Sequence, residues 1–425
     1  MSPTRLTELP FVKDKIEKLR VLQPVVSDII DDKGHQYVDL VMEGGGTLGM
    51  ALLGYIYTLE SAGIRFLSVG GVSAGSILAL LLAAGRIDEP QVPWILKAIK
   101  DKNFWDFIDG DKDSRNFIKN IVEQENSADS ESSISDTMRK AWYFMCIIDN
   151  LSNSKKGLNP GTHFHEWLIA LLKERNIQTL KDLNDIRSKK PAGLKNRATG
   201  LPIDDDEFYD GKFAELGIIA ADVTTETKVV FPRMANLYWK DPNNVNPADF
   251  VRASMSIPIF FQPFEVKHLP KTDDVLRIWR KELNYQGGIP EKVVFVDGGV
   301  ISNFPIDIFH DYSKIPSSPT LGVKIGYDRT HCNHTRSFLD FLGAIFWSSA
   351  HCLDNDFIFR NPDFKQLVSY IDYNSKRHGW LKFAMDEDDK DELFKNGVDA
   401  AYTFLTSFNW MKYKQSRQCF EKVTV

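Results

Sequence analysis

Cysteine is scarce in this chain. The four present, Cys146, Cys332, Cys352 and Cys419, form no Cys-x-x-Cys pair, which argues against a disulfide framework or a thiolate zinc site and favours a reducing compartment. Long apolar runs are missing too: the longest, Ile77 to Ala84, is too short to span a bilayer. Met1 to Leu22 carries charges throughout and does not read as a secretory signal. Nor is there a basic excess. With 52 Lys and Arg against 58 Asp and Glu, the net charge is −6 and no basic stripe dominates, so nucleic acid is not an expected partner. No internal repeat is present. The expected location is cytoplasmic, with any membrane met peripherally.

What is present suits a globular protein. The 425 residues are 43% hydrophobic and 26% charged, enough for one large domain or two ordinary ones. Val12 to Leu22 predicts a short charged helix. Tyr37 to Met42 reads as a strand, Gly44-Gly45-Gly46 as a turn, and Thr47 to Ala62 as an amphipathic helix stopped by Gly63. Phe66 to Val72 is a second strand and Ser76 to Ala84 a second helix, stopped by Gly85. Such alternation predicts a parallel sheet with helices on its faces.

Further strands are expected at Leu216 to Ala221, Lys228 to Phe231 and Lys292 to Val296, and helices at Ser337 to Ala350 and Asp391 to Phe404. Two stretches interrupt the pattern. Residues 101–160 hold the polar run Asn126 to Ser133, read as a loop, and the apolar run Ala141 to Ile148, read as a core-packed helix or a lid. Residues 187–206 are polar and read as a solvated loop. The expected organisation is a lead-in over 1–35, a catalytic domain over 36–330 with insertions at 101–160 and 187–206, and a helical region over 331–425.

Two glycine-rich motifs close the first two predicted strands. Glu43-Gly44-Gly45-Gly46-Thr47-Leu48-Gly49 opens a helix, so backbone N–H groups converge there beside a positive helix end. The run matches the dinucleotide pattern G-x-G-x-x-G, but the next strand, Phe66 to Gly71, lacks the carboxylate that fingerprint requires. An oxyanion site fits better. The second motif, Gly71-Val72-Ser73-Ala74-Gly75, is a Gly-x-Ser-x-Gly turn able to expose Ser73 as a nucleophile. Alone it occurs by chance in roughly one chain in ten of this size. At the carboxyl ends of adjacent parallel strands, the two motifs reinforce each other.

A base is supplied by Val293-Val294-Phe295-Val296-Asp297-Gly298-Gly299, where Asp297 ends an apolar strand before two glycines. By itself that aspartate reads as a turn cap; beside Ser73 it reads as catalytic.

Glu43 to Gly49, Gly71 to Gly75 and Asp297 to Gly299 together resemble the three blocks of the patatin-like phospholipases. Arg252 to Pro263 and Asn303-Phe304-Pro305 extend the similarity, which covers roughly Val38 to Lys324. The resemblance implies a three-layer α/β/α fold with a mainly parallel central sheet, with helical insertions and a helical C-terminal region around it. It implies a lipid acyl hydrolase of the phospholipase A or lysophospholipase type. Ser73 would be the nucleophile and Asp297 the base, Gly44, Gly45 and Gly46 the oxyanion hole, and a phospholipid or other acyl lipid the substrate. No cofactor or metal is implied. One position departs from the family's pattern: Leu48 stands where Arg or Lys is usual.

Two other readings stay open. An α/β-hydrolase would need a histidine after the acid, and His310, His331, His334, His351 and His378 follow Asp297, none in a distinctive loop. A pseudo-hydrolase would bind lipid or a partner without turnover. Arg252 reads as a site-lining residue or half of a salt bridge. Glu43 reads as a turn cap or a solvated residue. His163 and His165 lie two apart on a helix start, on different faces, and are poorly placed to share a metal.

Overall fold

The computed structural model describes residues 3–100, 102–116, 118, 156–210, 214–310, 315–327, 332, 338–374, 377, 378, 382, 383 and 385–421. The expected helix or lid at Ala141 to Ile148, and the loop at Asn126 to Ser133, lie outside these residues.

Among the described residues the strands are β1 Ile29–Ile30, β2 Gln36–Met42, β3 Ile64–Val72, β4 Gly157–Asn159, β5 Lys195–Asn196, β6 Leu216–Asp222, β7 Thr227–Phe231, β8 Ile259–Phe261, β9 Phe264–Lys267, β10 Lys292–Asp297, β11 Thr320–Ile325 and β12 Val368–Ile371. The main sheet runs β12-β11-β2-β3-β6-β10-β9. From β12 to β6 every pairing is parallel; β7, β9 and β10 join antiparallel. The central strands β2 and β3 are buried along their whole length, as expected of parallel strands covered by helices on both faces.

The antiparallel addition brings two distant segments together. β6 is flanked on one edge by β7, which pairs with Ile218 to Asp222. The other edge is shared. Val72 at the end of β3 pairs with Ile219, and Asp297 at the end of β10 pairs with Ala220. Because β3 runs parallel to β6 and β10 antiparallel, the two strands meet end to end. Their carboxyl-terminal residues therefore face each other.

The predicted helices form with shifted ends. A short 3-10 turn, Gly46–Leu48, precedes the helix Gly49–Ser61, and Ala74–Ala83 follows Ser73 directly. The C-terminal helix begins at Glu387, four residues before its expected start, because the Asp386 side chain accepts the Asp389 N–H in a capping box. That helix crosses Gly49–Ser61 at backbone contact: a Cβ on Gly54 would strike the Phe394 carbonyl, and one on Gly397 the Ala51 carbonyl. The C-terminal region is thus packed directly on the helix that leaves the glycine loop.

Two expectations fail. Residues 187–206 are not a wholly solvated loop: Leu194 and Ile203 join a second buried cluster with Ile29, Tyr37 and Leu67, and β5 pairs with β1. Arg187 is buried and donates to the Leu67 and Ala214 carbonyls. This segment sits at the amino end of β2, since β1 pairs with Gln36, opposite the end that carries the glycine loop. Strands β11 and β12 were not expected at all.

Candidate active site

Ser73 occupies the bend between β3 and the helix Ala74–Ala83 with φ 51° and ψ −121°. A residue with a Cβ held there stores about 1–3 kcal/mol of backbone strain. The bend is possible because its glycines permit close approach. A Cβ on Gly71 would strike the Gly75 backbone, and one on Gly75 the carbonyls of Met42 and Glu43.

The tripeptide Ser254-Met255-Ser256 ties this bend to the aspartate strand. Ser73 N–H donates to Ser254 Oγ at 3.0 Å, Ser73 Oγ donates to Met255 Sδ at 3.4 Å, and Asp297 N–H donates to the Ser256 carbonyl at 2.8 Å. Sequence reading noted the stretch only as part of a resemblance, because its contribution rests on a backbone carbonyl and a long-range contact.

Asp297 is 2% exposed. Its Oδ1 accepts the Gly299 N–H at 2.7 Å, while Oδ2 has no formed hydrogen bond. Burial pushes its pKa up to about 7, opposed by the Gly299 N–H and by the nearby Ser73 hydroxyl. A carboxylate tuned to that range is a stronger base than an ordinary aspartate. No ion pair is formed by Asp297 among the described residues.

The glycine loop requires a correction. The Gly44 N–H is committed to the Asn303 carbonyl at 3.2 Å, and Asn303 Nδ2 returns a bond to the Gly44 carbonyl at 3.2 Å. Gly44 therefore does not offer an oxyanion donor; a Cβ there would also strike Asn303 Oδ1. Gly45 and Gly46 lie at the start of the 3-10 turn, where N–H groups lack intrahelical acceptors. Gly46 has φ 56°, which glycine adopts without penalty. Ala74 opens the helix after the nucleophile and adds a third candidate N–H that sequence reading passed over.

Other sequence candidates resolve differently. Glu43 is neither exposed nor a turn cap. It pairs with Lys324 at 2.8 Å, both 3% exposed or less at the side chain, and Glu43 Oε2 accepts the Ile325 N–H at 2.7 Å. Leu48 is buried in the core, which explains why an apolar residue is accommodated at the position of the family's usual cation. Arg252 forms no salt bridge among the described residues. Its guanidinium donates to Ser256 Oγ and to the Pro160 and Gln262 carbonyls, fixing the chain around the Ser254 turn.

None of the described histidines bonds to Ser73 or Asp297. His310 packs its ring on Phe364, His351 lies within the helix Phe338–Arg360, and His378 is set against Asp389 and Glu392. His331 and His334 lie outside the described residues. His163 Nδ1 faces the Asp106 carbonyl and His165 Nε2 faces Asp249, so the two turn to different partners.

An apolar cleft, partly open to solvent, adjoins Gly46, Ala74 and Met255. Its aromatic side is a mutually packed set, with Phe107 5.3 Å from Phe164 and 5.2 Å from Trp167 between ring centroids. Such walls fit a hydrocarbon chain, each buried CH₂ contributing about 0.8 kcal/mol. Among the described residues, no helix is long and apolar enough to cross a membrane.

The chain is similar to other known proteins. The Bacillus subtilis (strain 168) protein YqhO is 28% identical over 313 residues, covering 73% of this chain and 79% of its own. Among solved structures, VipD from Legionella pneumophila aligns over 90% of this chain and 70% of its own, at 16% identity and a TM-score of 0.39. ExoU, in its complex with SpcU from the type III secretion system of Pseudomonas aeruginosa, aligns over 89% of this chain but only 52% of its own, at 15% identity and a TM-score of 0.33. The model of the patatin-like phospholipases matches residues 40–310, from within β2 to just beyond the Asn303 turn. On that match, which takes in the glycine loop, the Ser73 bend and Asp297, the chain belongs to the patatin-like phospholipase family.

Proposed function

We propose that this protein is a lipid acyl hydrolase of the phospholipase A or lysophospholipase type, working through a Ser73–Asp297 dyad. The observation that carries the reading is the strained Ser73 bend beside a buried carboxyl with a pKa near 7, opening on an apolar cleft. In the proposed cycle Asp297 takes the Ser73 proton as Oγ attacks the ester carbonyl. The oxyanion is bound by N–H groups of Gly45 and Gly46, aided by Ala74. The tetrahedral intermediate collapses, the leaving alcohol takes the proton from Asp297, and an acyl-serine remains. Water, deprotonated by Asp297, then attacks the acyl carbonyl, releasing the fatty acid and restoring Ser73.

Met255 Sδ is the partner that Ser73 Oγ must leave for Asp297 when substrate binds. Sulfur is a weak acceptor, so this exchange costs little. The test is fatty-acid release from phospholipid, lysophospholipid and neutral glyceride vesicles, together with fluorophosphonate labelling. Wild-type protein should release fatty acid and label at Ser73. Failure of both would favour the non-catalytic, lipid-binding alternative.

A further inference from the structure

The family match ends at residue 310, but the cleft does not. Phe383, more than seventy positions beyond, lines it together with Met255 and Ile257. Its ring stacks on Phe260 at 5.3 Å with an interplanar angle of 6°. Phe260 belongs to β8, within three residues of the Ile257 that also lines the cleft. Phe383 is thus a wall element delivered by the C-terminal region.

Its sequence neighbour is anchored by charge. The neighbouring Lys382 Nζ pairs with Asp389 Oδ2 at 2.6 Å, and Arg377 Nε reaches Asp389 Oδ1 at 3.2 Å. Asp389 is buried and belongs to the first turn of the helix Glu387–Ser407. That helix is seated on Gly49–Ser61 at the Gly54 and Gly397 crossing. The chain of contacts holds one aromatic ring against the cleft independently of the strands that carry Ser73 and Asp297.

We infer that Phe383 is a specificity-determining residue that limits the length or bulk of the acyl chain accepted, an inference resting on the acyl-hydrolase reading above. A phenyl ring held in the cleft wall by stacking takes up space that a longer or branched chain would need, and close-packed walls discriminate by volume. Replacing it by alanine opens that space; replacing it by tryptophan closes more.

The experiment compares kcat/KM for p-nitrophenyl esters from butyrate to palmitate in wild type, Phe383→Ala and Phe383→Trp. The expected result is a tenfold or larger rise in the long-to-short ratio for the alanine variant and a fall for the tryptophan variant. Lys382→Met, which removes the ion pair with Asp389 beside Phe383, should shift the ratio in the alanine direction. Equal loss at every chain length, or no shift in either Phe383 variant, overturns the proposal. Thermal melts of all variants identify any that fail to fold, and Phe383→Leu supplies a milder truncation in that case. A separate arm keeps the two readings apart: displacement of a fluorescent fatty acid by unlabelled acids of graded length, in Ser73→Ala protein. If no ester is cleaved but the displacement series shifts with Phe383, the hydrolase reading fails and the wall assignment stands; an unshifted series overturns it.

Discussion

The Ser73 N–H donates to Ser254 Oγ at 3.0 Å, across 181 positions of chain. Both residues are buried, so this bond has no water to replace it. Ser254→Ala leaves a buried N–H without an acceptor, at a cost of about 1–3 kcal/mol. The bend should relax and hydrolysis should fall with little change in KM. Ser254→Thr, which keeps the hydroxyl, should recover part of the kcat; equal losses in both variants would assign the residue to packing alone.

Removing either member of the dyad should remove turnover while leaving the fold. Ser73→Ala also relieves nothing of the backbone bend, since alanine pays the same strain at φ 51°. Fatty-acid release should drop at least a thousandfold in Ser73→Ala and in Asp297→Asn, with unchanged circular dichroism. Wild-type rates in either would sink the dyad.

The pH dependence follows from the raised pKa of Asp297, about 7. The base works only when ionised, so kcat/KM should climb about tenfold per pH unit below neutrality and level off above it. A profile flat from pH 5 to 8 would show that Asp297 is not the base.

The same shift has an opposite sign for stability. The folded state holds this proton more tightly than the unfolded chain, whose aspartates titrate near 3.8. Stability from this group is therefore complete below that value and is lost as pH rises toward 7. Asp297→Asn should raise Tm more at pH 8 than at pH 5, each kcal/mol giving about 1 °C in a protein of this size. Calorimetry at the two pH values checks the sign.

Lys324 and Glu43 form a buried pair beneath the glycine loop. Lys324→Met strands the carboxylate and should destabilise by about 3–5 kcal/mol. The double change Glu43→Leu with Lys324→Met should recover much of that loss, though not all, because the Ile325 N–H still loses its acceptor. Urea unfolding of the three variants measures the recovery.

The parts of the site legible in the sequence are those with short-range signatures. Gly71 to Gly75, Gly44 to Gly46 and the strand ending at Asp297 each declare a turn by composition, and each turn is present. The pairing of Val72 and Asp297 on one edge of β6 is a matter of register between distant strands, which no local pattern encodes. Strand β11 escaped because Gly322 and Lys324 interrupt its apolar pattern. In the fold Gly322 makes room for the Phe304 ring, and Lys324 is neutralised by Glu43. Gly44 was assigned a donor on composition, but a backbone bond to Asn303 had already claimed it.

The place of β11 between β12 and β2 has a practical meaning. A segment cut at the family boundary near residue 310 would lack an interior plank of its own sheet and leave β2 with a bare edge along its inner length. Such edges recruit foreign strands. The family-matched block is therefore not a transferable cassette: expressed alone it should aggregate, and any fusion or domain exchange must carry the chain through β12 and the Gly397 crossing.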